Sequence, residues 1–330
     1  MLCTARVLIF ISAILAGTVP GVAGRDPAAA ADRIYFSVLN KEEKPVTGLT
    51  AADFELRVNG KLAPMEGFHA GLPPVDRSIP LVAWILIDFN PHVSEAMIRN
   101  QAGAAAAVFG MLNPESALGV KLVSDQSETL APLAHDPAGL RDAFLQFGQR
   151  RTERRVGLSR NSADVGDVGI ARAMELALDE MDSYIASSPS LNGRELHRAI
   201  MIISDGNLNP AYNLKRFYAR AAQEGLFLYP VFVPRPTYGD WVRDYFDLAK
   251  KTAGVASVFG AIRPGSEMLP LPRSEVNQNA LNANFIHMTR DLNGKYSFEV
   301  PLTSTGKEMR IKLKCKVKGI KIRLPRTIVP

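Results

Sequence analysis

The segment Arg198-Ala-Ile-Met-Ile-Ile-Ser-Asp-Gly206 constrains this chain more than any other. Its apolar run is short, opens at Arg198 and closes on Ser-Asp-Gly, which reads as a central parallel strand buried on both faces. Pro80-Leu-Val-Ala-Trp-Ile-Leu-Ile-Asp88 is a second run of the same kind, and it too ends in an aspartate. Open α/β sheets bind ligands beyond the carboxyl ends of their strands. Asp88 and Asp205, far apart in sequence, are therefore expected to converge at one end of a sheet.

From Pro80 onward, strand and helix patterns alternate. A helix is expected from the cap at Ser94 to about Leu112, then strands at Ala117–Ser124 and Glu128–Leu133. Asp136-Pro137 opens a helix to Phe147, with proline at the favoured first position. The stretch 148–167, with Arg150, Arg151, Arg154 and Arg155, reads as a loop. Helices at 168–186, 211–224 and 240–252 and strands at Leu226–Val233 and Val255–Phe259 complete the block. The fold class is α/β, a doubly wound, mostly parallel sheet.

Two β blocks bracket it. Arg33–Leu39 and Asp53–Val58 alternate apolar and polar residues, and Asn59-Gly60 is a hairpin signal. Gly71 to Pro80 reads as a linker. After a helix near 275–289, strands return at Lys295–Val300, Glu308–Lys318 and Ile320–Leu324, the last two joined by a tight turn at Lys318-Gly319. Neither block is large enough to bury a core alone, so the two are expected to share a small β-sandwich.

The N-terminus has the form of an export signal: Arg6, an apolar stretch from Val7 to Ala16, and small residues at Val22-Ala-Gly24. An apolar stretch of about ten residues is half what a bilayer-spanning helix needs. The expected divisions are a signal peptide at 1–24, an N-terminal β segment at 25–77, the α/β unit at 78–290 and a C-terminal β segment at 291–330. The implied location is secreted or periplasmic. Cys3 goes with the signal, which leaves Cys315 without an internal disulfide partner. Alternation sets Cys315 facing the interior beside Leu313 and Val317.

The net charge of +6 is concentrated at the C-terminus, where nine Lys/Arg and one Glu follow from Lys307 onward. Arg310, Lys312, Lys314, Lys316 and Lys318 alternate with Ile311, Leu313, Cys315 and Val317. That period of two describes a half-buried strand with a solvated, basic outer face at a sheet edge, not a nucleic-acid site. An anionic polymer or lipid headgroups would be the partner of such a face.

Four motifs in order carry a family resemblance. They are Lys44-Pro-Val-Thr-Gly-Leu-Thr-Ala-Ala-Asp-Phe-Glu55 with Val58-Asn-Gly-Lys61, then Ile202-Ile-Ser-Asp-Gly206, Phe246-Asp-Leu-Ala-Lys-Lys-Thr-Ala-Gly254, and the Tyr296 strand with the Lys-rich hairpin that follows it. Together they resemble the bacterial von Willebrand factor A-related proteins, in which an A domain at 78–290 is flanked by β segments. The resemblance implies a divalent cation on an Asp-x-Ser-x-Ser loop, joined by a Thr and by an Asp from the fourth strand. Asp88 and Asp205 match that pattern. Asn90 and His92 stand where the serines belong, and Val168 stands where the Thr belongs, with Asp164 or Asp167 nearby as substitutes. Mg²⁺ wants about six oxygens, so Asp88, Asn90 and Asp205 form a degenerate site. The expectation is that no metal binds and that His92 takes the vacated cation position.

No Gly-x-Ser-x-Gly elbow, His-Glu-x-x-His helix, phosphate loop or Cys-x-x-Cys pair is present. The five histidines show no metal-ligand spacing. The expectation is a non-enzymatic, exported module without cofactor, not an integral membrane protein. It would bind a protein partner through the top of its sheet, with His92, Asp164, Asp167 and Asn207 as contacts. Two alternatives stand beside it: a metal-dependent adhesin with a remodelled Mg²⁺ site, and an anion-binding surface protein using the Lys/Arg strand face.

Overall fold

The computed structural model describes residues 31–42, 44–73, 77–88, 109–110, 112–123, 127–155, 166–204, 214–232, 247–258, 280–301, 309–324 and 327–328. The expected signal segment lies outside them. At the centre is a six-stranded sheet built from β5 (Leu81–Asp88), β6 (Ala117–Val123), β7 (Ser127–Ala134), β8 (His197–Ser204), β9 (Leu226–Phe232) and β10 (Ser257–Val258). Its order is β10-β9-β8-β5-β6-β7, all neighbours parallel except the antiparallel edge strand β7. Every residue of β5, β6 and β9 is buried, as expected for strands covered on both faces.

Helices α1 (Pro137–Arg155), α2 (Gly166–Ser187), α3 (Lys215–Gln223) and α4 (Ala280–Asn293) accompany the sheet. One sheet face packs Ile85, Ile87, Val120 and Met201 against Phe144 and Phe147 of α1 and Phe285 and Met288 of α4. The other packs Trp84, Leu86, Ile200 and Ile202 against Ile170, Met174, Leu178 and Met181 of α2 and Phe217 of α3. The fold class is thus the doubly wound α/β sheet expected. The loop expected at 148–167 is corrected, because α1 continues to Arg155 and α2 starts at Gly166. Gly148 weakens the helix but does not end it, because Gln149 to Arg155 is rich in helix-forming Gln, Arg and Glu and the next glycine is Gly157. α3 is shorter than expected, and Gly225 does end it, at φ +65°.

The two β blocks form the expected sandwich. One sheet has the order β13-β1-β11-β4, with β1 (Ala31–Leu39), β4 (Glu66–His69), β11 (Lys295–Pro301) and β13 (Lys321–Arg323). The other is β14-β12-β2-β3, with β2 (Phe54–Val58), β3 (Lys61–Ala63), β12 (Met309–Cys315) and β14 (Thr327–Ile328). Between them lie Ile34, Phe36, Val38, Phe54, Leu56, Tyr296, Phe298 and Ile311. The hairpin turn at Asn59-Gly60 forms with φ of 50° and 83°. The expected pairing of the last two long strands is corrected. β12 lies beside β2 and β13 beside β1, so the Lys318-Gly319 turn carries the chain from one sheet to the other. A core that needs two covered faces gains more from this crossing than from a hairpin within one sheet.

The N-terminal motif has a physical role in this sandwich. Tyr296 Oη donates to Val46 O (3.0 Å) and accepts from Leu49 N–H (3.2 Å), pinning the Pro45–Leu49 loop over the core. The Asp53 carboxylate accepts from Thr50 N–H and Oγ1, which draws its pKa below the usual aspartate value and orients Phe54 into the core. Cys315 packs against this core but is half-buried, and Val317 is 41 % exposed, not interior. The strand ends at Cys315, so its alternation no longer governs Val317.

Candidate functional site

The sheet order places the site. β5 connects onward to β6 on one side and β8 to β9 on the other, so the order reverses between β5 and β8. In a doubly wound sheet that reversal leaves a crevice at the carboxyl ends of the two strands. The parallel register runs from Leu81 opposite His197 to Ile87 opposite Ile203. Asp88 and Ser204 therefore end up side by side at the top. Ser204 Oγ donates to Asp88 Oδ2 at 2.7 Å, and both residues are buried.

Ser204 was not among the residues singled out from sequence, although it stands directly before Asp205. Asn90, His92, Asp164, Asp205 and Asn207 lie outside the described residues, so the expectation for His92 lies there too. Asp167 and Val168 fall in the first turn of α2. Among the described residues no three His, Cys, Asp or Glu side chains group as metal ligands. Asp88 accepts from a hydroxyl donor, and Val168, where the resemblance expects a Thr, brings no ligand atom.

The histidines described are held by the scaffold. His69 lies 3.8 Å from Glu195, and His135 Nδ1 lies 3.0 Å from Ser116 O with its ring against Phe109. His197 begins β8, at the end opposite Ser204. Its burial lowers its pKa to about 4, and its Nε2 has no hydrogen-bond partner. Burial likewise lowers the pKa of His287 in α4.

Sequence reasoning also missed a buried polar cluster near this opposite end. Lys295 Nζ pairs with Asp291 Oδ2 at 2.7 Å, donates to Ser37 Oγ at 2.5 Å and also donates to Ala253 O. Asp291 accepts further from Tyr229 Oη (2.8 Å) and Ser37 Oγ (3.1 Å). Asp291 is kept ionised against its burial chiefly by Lys295, so its pKa lies below the usual value. The one sequence signal was the i, i+4 spacing of Asp291 and Lys295 at a helix end. The cluster ties α4 and β9 of the α/β unit to β1 and β11 of the sandwich. It is fully enclosed, with every donor and acceptor named above turned inward, and it serves as a joint between the two units.

The motif ending in Gly254 is structural as well. Leu228 N–H donates to Thr252 Oγ1 at 3.0 Å, and a Cβ on Gly254 would lie 1.9 Å from Leu228 O. That close approach docks the segment against β9.

No protein-family model matches the chain, and no curated protein does. Solved structures do resemble it. A von Willebrand factor type A protein from Catenulispora acidiphila is 12% identical, over 91% of this chain and 73% of that one, with a TM-score of 0.42. The TFIIH p34 N-terminal domain is 16% identical, over 64% and 98%, with a TM-score of 0.41. Manganese-loaded Plasmodium vivax TRAP protein is 12% identical, over 71% and 78%, with a TM-score of 0.39. At such scores these likenesses carry no argument about what this chain binds. No described helix is long and apolar enough to cross a membrane.

Proposed function

We propose that this chain is an exported member of the von Willebrand factor A-related proteins that binds a protein partner at the top of its sheet, without metal and without catalysis. The observation that carries the reading is the switch point between β5 and β8, with Asp88 held by Ser204 Oγ. A crevice at that point is where a sheet of this order presents a ligand site. The Ser204 hydroxyl takes one acceptor position of the Asp88 carboxylate and turns it toward the scaffold. The four ordered sequence motifs support the family assignment.

The test combines capture and melting. The full chain is used to capture partners from envelope extract, with and without EDTA, beside an Asp167→Lys/Asn207→Lys variant that alters two of the expected contacts. The expected result is EDTA-resistant capture that the variant loses while its melting temperature stays unchanged. Mg²⁺ or Mn²⁺ should leave the melting temperature of the unaltered chain where it was, because a ligand stabilises only the state it binds. An upward shift that vanishes in Asp88→Ala would establish the metal-dependent adhesin instead.

A further inference from the structure

The β14-β12-β2-β3 sheet turns Phe54, Leu56, Met309 and Ile311 into the sandwich core, and its other face outward. Residues directly opposite in an antiparallel pair project from the same face. Lys312 lies opposite Arg57, and Arg57 opposite Leu62, so a lysine, an arginine and a leucine form one row across three strands. Lys314 lies opposite Glu55 in the adjacent row. Arg310 and Lys316 extend the same face along the chain, about 7 Å per two residues. All these cations are exposed.

Among the described residues the one carboxylate on this face is used internally, since Glu55 pairs with Arg57 at 2.8 Å. Lys316 Nζ donates to Ala52 O. Arg310 and Lys312 form no ion pair among the described residues, and Lys314 shares Glu55 with Arg57. Like charges so close repel one another, and an opposing anionic surface relieves that repulsion. Leu62 is 68 % exposed among them, the largest exposure of a bulky apolar side chain among the described residues.

Two features decide between anionic partners. None of the face residues is aromatic, whereas single-stranded nucleic acids are held by stacking on aromatic rings. The exposed leucine sits level with the arginine and lysine of its row, where it would enter the headgroup region while the cations meet lipid phosphates. We propose that this face docks on an anionic phospholipid surface, leaving the switch-point end of the other sheet free for its own partner.

The experiment is co-sedimentation of the full chain with vesicles. One set is phosphatidylcholine alone and the other carries about one third phosphatidylglycerol, each at low salt and at about 0.5 M NaCl. The expected result is binding to the anionic vesicles only, largely lost at high salt. Lys312→Gln/Lys314→Gln should weaken it about thirtyfold, from five- to sixfold per basic residue at such a surface. Leu62→Ser should weaken it severalfold, with the melting temperature of both variants unchanged. The first 30 residues are common to every arm, so binding through them would persist in the lysine variant and extend to phosphatidylcholine. Equal binding to both vesicle types, or no effect of the lysine variant, overturns the proposal. Tight binding of dextran sulfate without vesicle binding would also overturn it and assign the face to an anionic polysaccharide.

Discussion

Ser37 and Lys295 are register partners across the β1–β11 pair, and Lys295 Nζ donates to Ser37 Oγ at 2.5 Å, although 258 residues separate them. The two ends of the chain thus meet at a buried charge, and Asp291 at the end of α4 neutralises it. Tyr35, two residues before Ser37, packs edge-on against Phe227 of β9 at 5.3 Å. β1 is consequently covered on both faces, by the sandwich core through Phe36 and by the α/β unit through Tyr35 and Ser37.

Removing one member of the buried pair leaves the other charge without compensation, which typically costs about 3–5 kcal/mol. Asp291→Asn is expected to lower the unfolding free energy by about that amount, read from urea denaturation. Asp291→Leu/Lys295→Met, which removes both charges, should be markedly more stable than Asp291→Asn. A loss below about 1 kcal/mol in Asp291→Asn would mean the pair does not hold the two units together.

His197 makes the fold less stable in acid. Its imidazole is neutral in the folded state down to about 4, while in the unfolded chain it takes a proton from about 6.5 downward. The unfolded state therefore binds more protons between those values. Stability is unaffected above 6.5, falls as pH drops from 6.5 to 4, and is constant below that as far as this group is concerned. The loss is on the order of 3 kcal/mol at full protonation. His287, whose pKa is also lowered by burial, acts in the same direction. Urea midpoints at several pH values should decline through this window, and His197→Leu should flatten the decline; an unchanged slope would count against the assignment.

At the switch point, Ser204→Ala removes the hydroxyl that donates to Asp88. A hydrogen bond to a charged group is worth about 1.5–3 kcal/mol when its partner is left buried. Thermal unfolding of Ser204→Ala should show a loss in that range. An unchanged melting temperature would indicate that Asp88 finds its stabilisation from other groups.

Two glycines separate steric from conformational cost. Gly254→Ala would press a methyl against Leu228 O, a backbone atom that cannot swing away, and should cost about 2 kcal/mol or more. Gly193 has φ +76° and open space around it, so Gly193→Ala should cost only about 1 kcal/mol from the left-handed backbone. Equal losses in the two would show that the contact at β9 is not tight.

Much of this architecture follows from local pattern. The unbroken apolar runs of β5 and β8 can only be satisfied by a sheet covered on both faces, and each run reaches its polar end at a defined residue, Asp88 and Ser204. The alternation in Arg33–Leu39 and Glu308–Lys318 requires a second apolar layer that neither end of the chain supplies alone, so the sandwich was legible too. Partners were not. Alternation tells which side of a strand is buried, yet it is the same for β12 beside β13 as for β12 beside β2. Only the competition for core area sends them to opposite sheets.

The sequence by itself determined the buried central strands, the shared sandwich and the aspartate that closes β5, because burial period and chain punctuation are properties of neighbouring residues. The tertiary structure alone decided that Ser204 donates to Asp88, that Lys295 finds Asp291, Ser37 and Ala253 at once, and that Leu62 stands in a row of cations. Hydrogen bonds and charge pairs act over a few ångströms between atoms of distant residues. Their partners are therefore set by the register and crossing of whole elements, which no local stretch of chain encodes.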